Sequence, residues 1–272
     1  MPEGDTIFRA ATTLRRALEG ARVSSFRSTV LRENLAGLRI ERVEARGKNL
    51  LVHFGDGRVL RTHMRMSGSW HIYREGEPWQ RPAWQAKVEL HADNGFVAVL
   101  FNAPVIELLD AAALEEGEVG RLGPDATADA FDPALARARL QALGPMSIGE
   151  ALLHQGAMAG VGNVIKAETL FLCRQDPFAA VEALEQAQLE KLIAESRRLL
   201  LRNRSGAGMR TSRESLDGGR LWVYGRSGKP CRVCGTPVKM RRQGAAARST
   251  YYCPSCQAGQ PDAQVNPATP RR

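Results

Sequence analysis

No stretch of this chain approaches the roughly 18 uninterrupted apolar residues that a membrane-spanning helix needs. Its first residues, MPEGDT, also lack the charged-then-apolar pattern of an export leader. The expectation is a cytoplasmic protein with no membrane attachment. Aromatic residues are sparse, at 6%, yet 43% of the 272 residues are apolar, enough for real cores and for more than one typical domain. Cysteine is sparser still, at five residues. With no leader to place them in an oxidising compartment, they do not read as a disulfide framework. Heptads and internal repeats are missing, which excludes coiled-coil and solenoid architectures.

One scarcity is local. Residues 1–200 carry 24 Lys and Arg against 26 Asp and Glu, whereas residues 201–272 carry 14 against 3. The net charge of +9 is therefore a property of the C-terminal end. A solvated basic tail would look the same. Here, however, the charge surrounds four of the five cysteines, which favours a polyanionic partner.

Those four fall as Cys231-Arg-Val-Cys234 and Cys253-Pro-Ser-Cys256, with 18 residues between the pairs. This is the spacing of a tetrathiolate zinc ribbon, and one structural Zn2+ is expected there. Cys173, in the apolar run Leu170-Phe171-Leu172-Cys173, reads as a buried core thiol.

Periodicity divides the rest. Ile7, Ala11, Leu14 and Leu18 recur at helical spacing, with Asp5 placed to cap the helix start and Gly20 to end it. ARGKNLLVHFGDGRVLRTHMRMSGSW then reads as two strands about Gly55-Asp56-Gly57, and WQAKVELHADNGFVAVLF as two more about Asn94-Gly95. From Asp110 to Asp132 the chain turns acidic, Ala-rich and Gly/Pro-marked, as a connector with a hinge would. Beyond it, Asp132-Pro133 opens one helix, Ser147 with Glu150 reads as a capping box for a second, a third runs from about Val164 to Cys173, and VEALEQAQLEKLIAESRRLLLRNR forms a fourth.

The expected organisation is a β-rich domain over residues 1–120, a linker over 121–131, a helical domain over 132–220, a zinc finger over 221–257 and a disordered tail over 258–272. Between the second and third helices lies Gly160-Val161-Gly162-Asn163. Such a loop is either a plain tight turn or a phosphate seat, in which free amides at the helix start and the Asn163 side chain bind the anion.

The start of the chain carries its own chemistry. Removal of Met1 would expose Pro2 as a secondary amine. An α-amino group with a pKa near 8 is about 10% unprotonated at pH 7, against roughly 0.04% for an unperturbed lysine. Such an amine attacking an aldehyde-like carbon gives an iminium electron sink, with Glu3 adjacent for proton transfer. A stiff lead-in to the first helix is the alternative reading of Pro-Glu-Gly.

MPEG at the start, RGKNLL in the first hairpin, GVGN between helices, VYGRSGKPCRVCG and RSTYYCPSCQ occur together and in this order. Over residues 1 to about 257 the chain resembles the formamidopyrimidine-DNA glycosylase and endonuclease VIII family of base-excision repair enzymes. The resemblance implies an α+β, two-domain fold. An N-terminal helix and antiparallel β-sandwich precede a C-terminal helical domain with a helix-two-turn-helix and a zinc ribbon, and DNA lies in the cleft between. The implied partner is double-stranded DNA with oxidised bases or abasic sites, bound by a monomer.

Residue by residue, the resemblance makes Pro2 the Schiff-base nucleophile at C1′, Glu3 the proton donor and shuttle, and Lys48 the hairpin lysine that assists base removal and β-elimination. Asn163 matches a phosphate-holding asparagine, and Arg248 matches the zinc-finger arginine that grips phosphate and serves δ-elimination. Arg121 aligns with a DNA-contacting arginine of endonuclease VIII, and the loop Arg65-Met66-Ser67 would supply Met66 as the wedge that fills the gap left by a flipped base.

Two departures favour the endonuclease VIII branch and oxidised pyrimidines. The chain begins MPEGDT rather than MPELPE, and it has Phe101-Asn102-Ala103-Pro104-Val105 where the 8-oxoguanine branch carries DPRRF. VYGR and RSTYYC resemble the 8-oxoguanine branch, so purine activity stays open, as does an abasic-site lyase that removes no bases. A zinc-ribbon DNA-binding protein without catalysis is the reading from another class. Retention of Pro2, Glu3 and Lys48 together argues against it.

Overall fold

The computed structural model describes residues 2–205, 211 and 221–258. The expected tail beyond Ala258 and most of the chain between Ser205 and Leu221 lie outside the described residues. No described helix is long and apolar enough to cross a membrane.

Helix α1 spans Gly4–Leu18 and buries Ile7, Ala11, Leu14 and Leu18. Eight strands follow: β1 Val23–Ser28, β2 Ile40–Arg46, β3 Asn49–Phe54, β4 Val59–His63, β5 Ser69–Arg74, β6 Ala86–Ala92, β7 Phe96–Phe101 and β8 Val105–Leu109. They form two antiparallel sheets, ordered β1-β6-β7-β5 and β2-β3-β4-β8. Inward-facing residues of both sheets, among them Val43, Val52, Leu60, Val88, Leu90 and Leu100, share one core with the apolar stripe of α1.

The start of α1 corrects one expectation. Asp5 does not cap it: the N-cap is Glu3, whose own side chain makes no capping hydrogen bond. Helix formation starts two residues earlier than the Asp5 reading requires, so Asp5 lies inside the first turn, buried, with Arg9 at 3.4 Å. A missing cap costs about 1 kcal/mol. Each fully buried Leu or Ile of the stripe contributes roughly 1.5–3 kcal/mol, so burial holds the helix without it.

The acidic connector is partly helical, since α2 (Ala111–Glu116) is capped by the Asp110 carboxylate accepting from Ala113 N. Residues 121–131 lie packed between the β-sandwich and the helices: Ala126 and Thr127 are buried, and Asp125 bridges to Ala159.

The helical part comprises α3 (Pro133–Gln141), α4 (Ile148–Ala151), α5 (Asn163–Leu172) and α6 (Gln186–Arg202). The fourth expected helix is therefore shorter at its start, because Val181–Ala183 forms a separate 3-10 turn before α6. The capping box at Ser147 is also absent. The Ser147 hydroxyl donates to the Glu150 carboxylate at 2.5 Å instead of accepting from the backbone. Cys173 is half-buried against this core, and burial pushes its thiol up to about 12. The hairpin of β9 (Lys239–Gln243) and β10 (Arg248–Tyr252) is the last of the described elements.

Candidate active site

Glu3 is the centre of the arrangement. Its side chain is fully buried and accepts three backbone hydrogen bonds from the start of α5, from Val164 at 2.7 Å and from Gly162 and Ile165 at 3.2 Å each. The amides that the sequence offers as a phosphate seat are thus filled by a carboxylate from the other end of the chain. This corrects the anion-seat reading for the backbone groups, and the charge preference of a helix start explains the choice. Gly162 is required here, since a Cβ would lie 2.3 Å from Glu3 Cδ. Burial holds the Glu3 carboxyl above the ordinary range, opposed by Lys48 and by the amides of Val164 and Ile165.

Lys48 reaches the same region from the β2–β3 turn. Gly47 adopts φ +61, and its N–H donates to Asp125 Oδ2 at 2.6 Å. Asp125 Oδ1 in turn accepts from Thr127 N and Oγ1, each at 2.7 Å. The turn is therefore clamped to the connector. Burial pushes the Lys48 ammonium down to about 8, with Glu3 opposing and Arg248 adding to the shift.

A cleft of about 910 Å³ opens beside these groups, lined by Pro2, Lys48, Arg65, Met66, Arg121, Asn163 and Arg248. Every non-cysteine candidate except the buried Glu3 therefore faces one space. Met66 is 72% exposed on the β4–β5 loop, as a wedge must be, and its neighbour Arg65 adopts φ 43. Arg121 is held by Gly117 O at 3.2 Å. Asn163 Nδ2 donates to Ser249 O at 2.7 Å, so its amide grips the β10 strand.

Sequence reasoning missed Arg61, His63 and His154, which also line the cleft. Arg61 and His63 alternate along β4, and that period of two was the available signal. Arg61 is buried, bonded to Asn49 at 3.0 Å, to Glu107 at 2.7 Å and to Glu118. Burial and the cations Lys48, Arg65 and Arg61 hold His63 below its ordinary range, so it is a neutral ring at pH 7.

The sulfurs of Cys231, Cys234, Cys253 and Cys256 lie within 4.8 Å of one another. Cys234 and Cys253 are 3.4 Å apart, and Cys231 and Cys256 are 3.9 Å apart. Tetrahedral zinc with Zn–S of roughly 2.3 Å sets sulfurs about 3.8 Å apart, so the donor set fits one closed, structural zinc site. Chelation, or Cys253→Ser, is expected to weaken duplex binding more than it lowers the unfolding temperature of the β-sandwich. Zinc analysis, duplex affinity and thermal unfolding on one preparation check this. Protein that binds duplex normally without zinc overturns it.

The chain is similar to known proteins along most of its length. Residues 1–103 match the formamidopyrimidine-DNA glycosylase N-terminal domain, 122–213 its H2TH domain, and 228–259 the zinc finger found in FPG and IleRS. "Probable endonuclease 8 2" of Streptomyces coelicolor is 40% identical over 268 residues, covering 95% of each chain. "DNA-(apurinic or apyrimidinic site) lyase Nei2" of Mycolicibacterium smegmatis is 35% identical over 260 residues, covering 94% of this chain and 99% of its own. The fold is that of Lactococcus lactis formamidopyrimidine-DNA glycosylase, crystallised non-covalently bound to AP-site DNA, with a TM-score of 0.78 at 23% identity over 94% of this chain and 100% of that one. With three family domains matched in order and relatives of this identity covered over nearly their whole length, the chain belongs to the formamidopyrimidine-DNA glycosylase and endonuclease VIII family.

Proposed function

We infer that this protein is a bifunctional DNA glycosylase and abasic-site lyase of base-excision repair, acting on oxidised pyrimidines in duplex DNA. The observation that carries the reading is the convergence of Pro2, Lys48, Asn163 and Arg248 on one cleft, with the raised Glu3 carboxyl adjacent in sequence to Pro2 and coupled to Lys48. The S. coelicolor and M. smegmatis relatives carry endonuclease and abasic-site lyase names, which support the same activity here.

A base inside the stack is out of reach, so the lesion is flipped at a cost of a few kcal/mol, with exposed Met66 filling the gap. The Pro2 lone pair forms the bond to C1′ as Glu3 gives its carboxyl proton to the sugar-ring oxygen and the bond from C1′ to that oxygen breaks. The Pro2 N–H proton passes to the Glu3 carboxylate, and the freed lone pair expels the base, which takes that proton from Glu3 and leaves an iminium at C1′. Burial suits Glu3 to this by keeping its carboxyl protonated to higher pH. The iminium draws electrons from C2′. Loss of the C2′ proton, for which neutral Lys48 is an available base, expels the 3′ phosphate, and loss of the C4′ proton expels the 5′ phosphate. Arg248 steadies these departing phosphates. Zinc takes no part in any of these bonds and serves to fold the ribbon.

The pyrimidine preference rests on the β7–β8 connection, Asn102-Ala103-Pro104, which has no arginine to face an orphan cytosine. Incubating the protein with duplexes bearing thymine glycol, 8-oxoguanine or an abasic site in borohydride tests class and subclass together. Covalent products with thymine glycol and the abasic site, and little with 8-oxoguanine opposite cytosine, are expected. Trapping with the abasic site alone would mean a lyase that removes no bases. Tight binding with no trapping at all would mean a non-catalytic DNA-binding protein.

A further inference from the structure

The ten-residue helix α5 sends three polar side chains into the zinc-binding part of the chain. Asn163 holds Ser249, as described above. One turn further on, Lys166 is fully buried, and its Nζ donates to Thr250 Oγ1 at 2.8 Å and lies 3.5 Å from Ser249 O. The Thr250 hydroxyl passes the chain on to Gln243 Oε1 at 2.7 Å. Gln243 Nε2 donates to Ser147 Oγ at 2.7 Å and to Pro177 O at 2.9 Å, which anchors β9 to the helical part. The third side chain, Glu168, is also buried and accepts from the consecutive amides of Trp222, Val223 and Tyr224 at 2.7–2.9 Å.

A buried ammonium is costly, and burial lowers Lys166 to about 8. If only stability were needed at this position, an apolar side chain would serve as well or better. What the ammonium adds is direction, because it must point at its acceptors. Those acceptors, Ser249 and Thr250, directly follow Arg248. Arg248 is exposed on the cleft wall, and its guanidinium makes no hydrogen bond or ion pair to the described residues, so only its backbone, paired with Gln243, places it. Lys166 itself, having no exposed surface, cannot touch DNA.

We propose that Lys166, acting through Thr250, is a positioning residue for Arg248: it fixes the β9–β10 hairpin at the height from which the guanidinium meets a DNA phosphate. The proposal rests on the repair function inferred above. It assigns α5 two duties, since the helix that receives Glu3 at its first turn also sets Arg248 from its second.

The decisive variant is Thr250→Val, which keeps shape, strand preference and net charge while removing the acceptor. Affinity for a duplex with a tetrahydrofuran abasic analogue is measured across a salt series, with zinc content determined on the same protein. Arg248→Ala makes the log-affinity against log-salt slope shallower by about one unit, the value of one lost phosphate contact. Thr250→Val and, separately, Lys166→Met are each expected to recover at least about half of that change. Adding Arg248→Ala to Thr250→Val is expected to give no more than the Arg248→Ala value, with zinc retained. A wild-type slope in Thr250→Val, or the full Arg248→Ala change on top of it, overturns the proposal. So does a slope change that tracks lost zinc, which would mark a merely structural role. Borohydride trapping of abasic DNA on Pro2 in Thr250→Val reports separately on the inferred function, so the two failures are distinguishable.

Discussion

Protein that retains Met1, or that carries any N-terminal extension, is expected to leave abasic DNA uncut and to give no borohydride-trapped product. Either change turns the Pro2 amine into an amide and withdraws its lone pair. The rival nucleophile is Lys48, whose ammonium lies at about 8. Both amines are then about 10% neutral at pH 7, so protonation alone does not decide between them. Geometry and chain position do: the Lys48 turn is clamped by Asp125 through Gly47, whereas Pro2 lines the cleft directly before Glu3. Pro2→Gly leaves a primary amine that still forms an imine, and it is expected to keep partial trapping. Peptide mapping of the adduct reads out the answer. A blocked protein that still cross-links, through Lys48, sinks the assignment of Pro2.

Glu3→Gln is expected to cut base removal by about 10²–10⁴-fold, the range a general acid supplies, and to spare abasic-site cleavage more. An open-chain aldehyde needs less acid assistance than an intact glycosidic bond. The wild-type sign with pH follows from the raised carboxyl: it donates while protonated, so base removal falls as pH rises through its value, and the variant loses that limb. There is also a structural effect. Three amides donate to the two Glu3 oxygens, and glutamine offers one acceptor and turns its amide nitrogen toward donors. One unsatisfied buried group costs about 1–3 kcal/mol, and a lower unfolding temperature reports it. Single-turnover rates on thymine glycol and abasic duplexes separate the two effects. Unchanged base removal by Glu3→Gln rules out Glu3 as the acid.

The hairpins about Gly55-Asp56-Gly57 and Asn94-Gly95 were legible because a turn signal sits between two apolar runs, and the zinc ribbon because its spacing is itself geometric. The apolar stripe of α1 was legible, but its start was not. Whether Asp5 or Glu3 occupies the cap depends on where Glu3 finds amides, and those belong to residues 162–165. Lys166 and Glu168 were illegible for the same reason. In GVGNVIKAETLFLC they look like ordinary polar positions of a surface helix, yet their partners lie 43 to 84 residues downstream. Asp125 reads as one acidic residue in an acidic connector until Gly47 N is found against it. Local pattern reveals elements, whereas buried polar groups are specified by contacts that sequence distance hides.

The bonds from Glu3 to Gly162 and Ile165 span 159 to 162 residues, and this separation sets an order of events during synthesis. The N-terminal residues leave the ribosome first, and Met1 removal would expose the Pro2 amine while the stretch that completes its site is still unmade. At 5–20 residues per second, translation needs roughly 8–30 s to reach the start of α5. Throughout that interval Glu3, the acid of the function inferred above, has no amides to hold it. On the function inferred above, competence arrives late in translation, and a chain truncated before residue 162 would present Pro2 without the amides that hold Glu3.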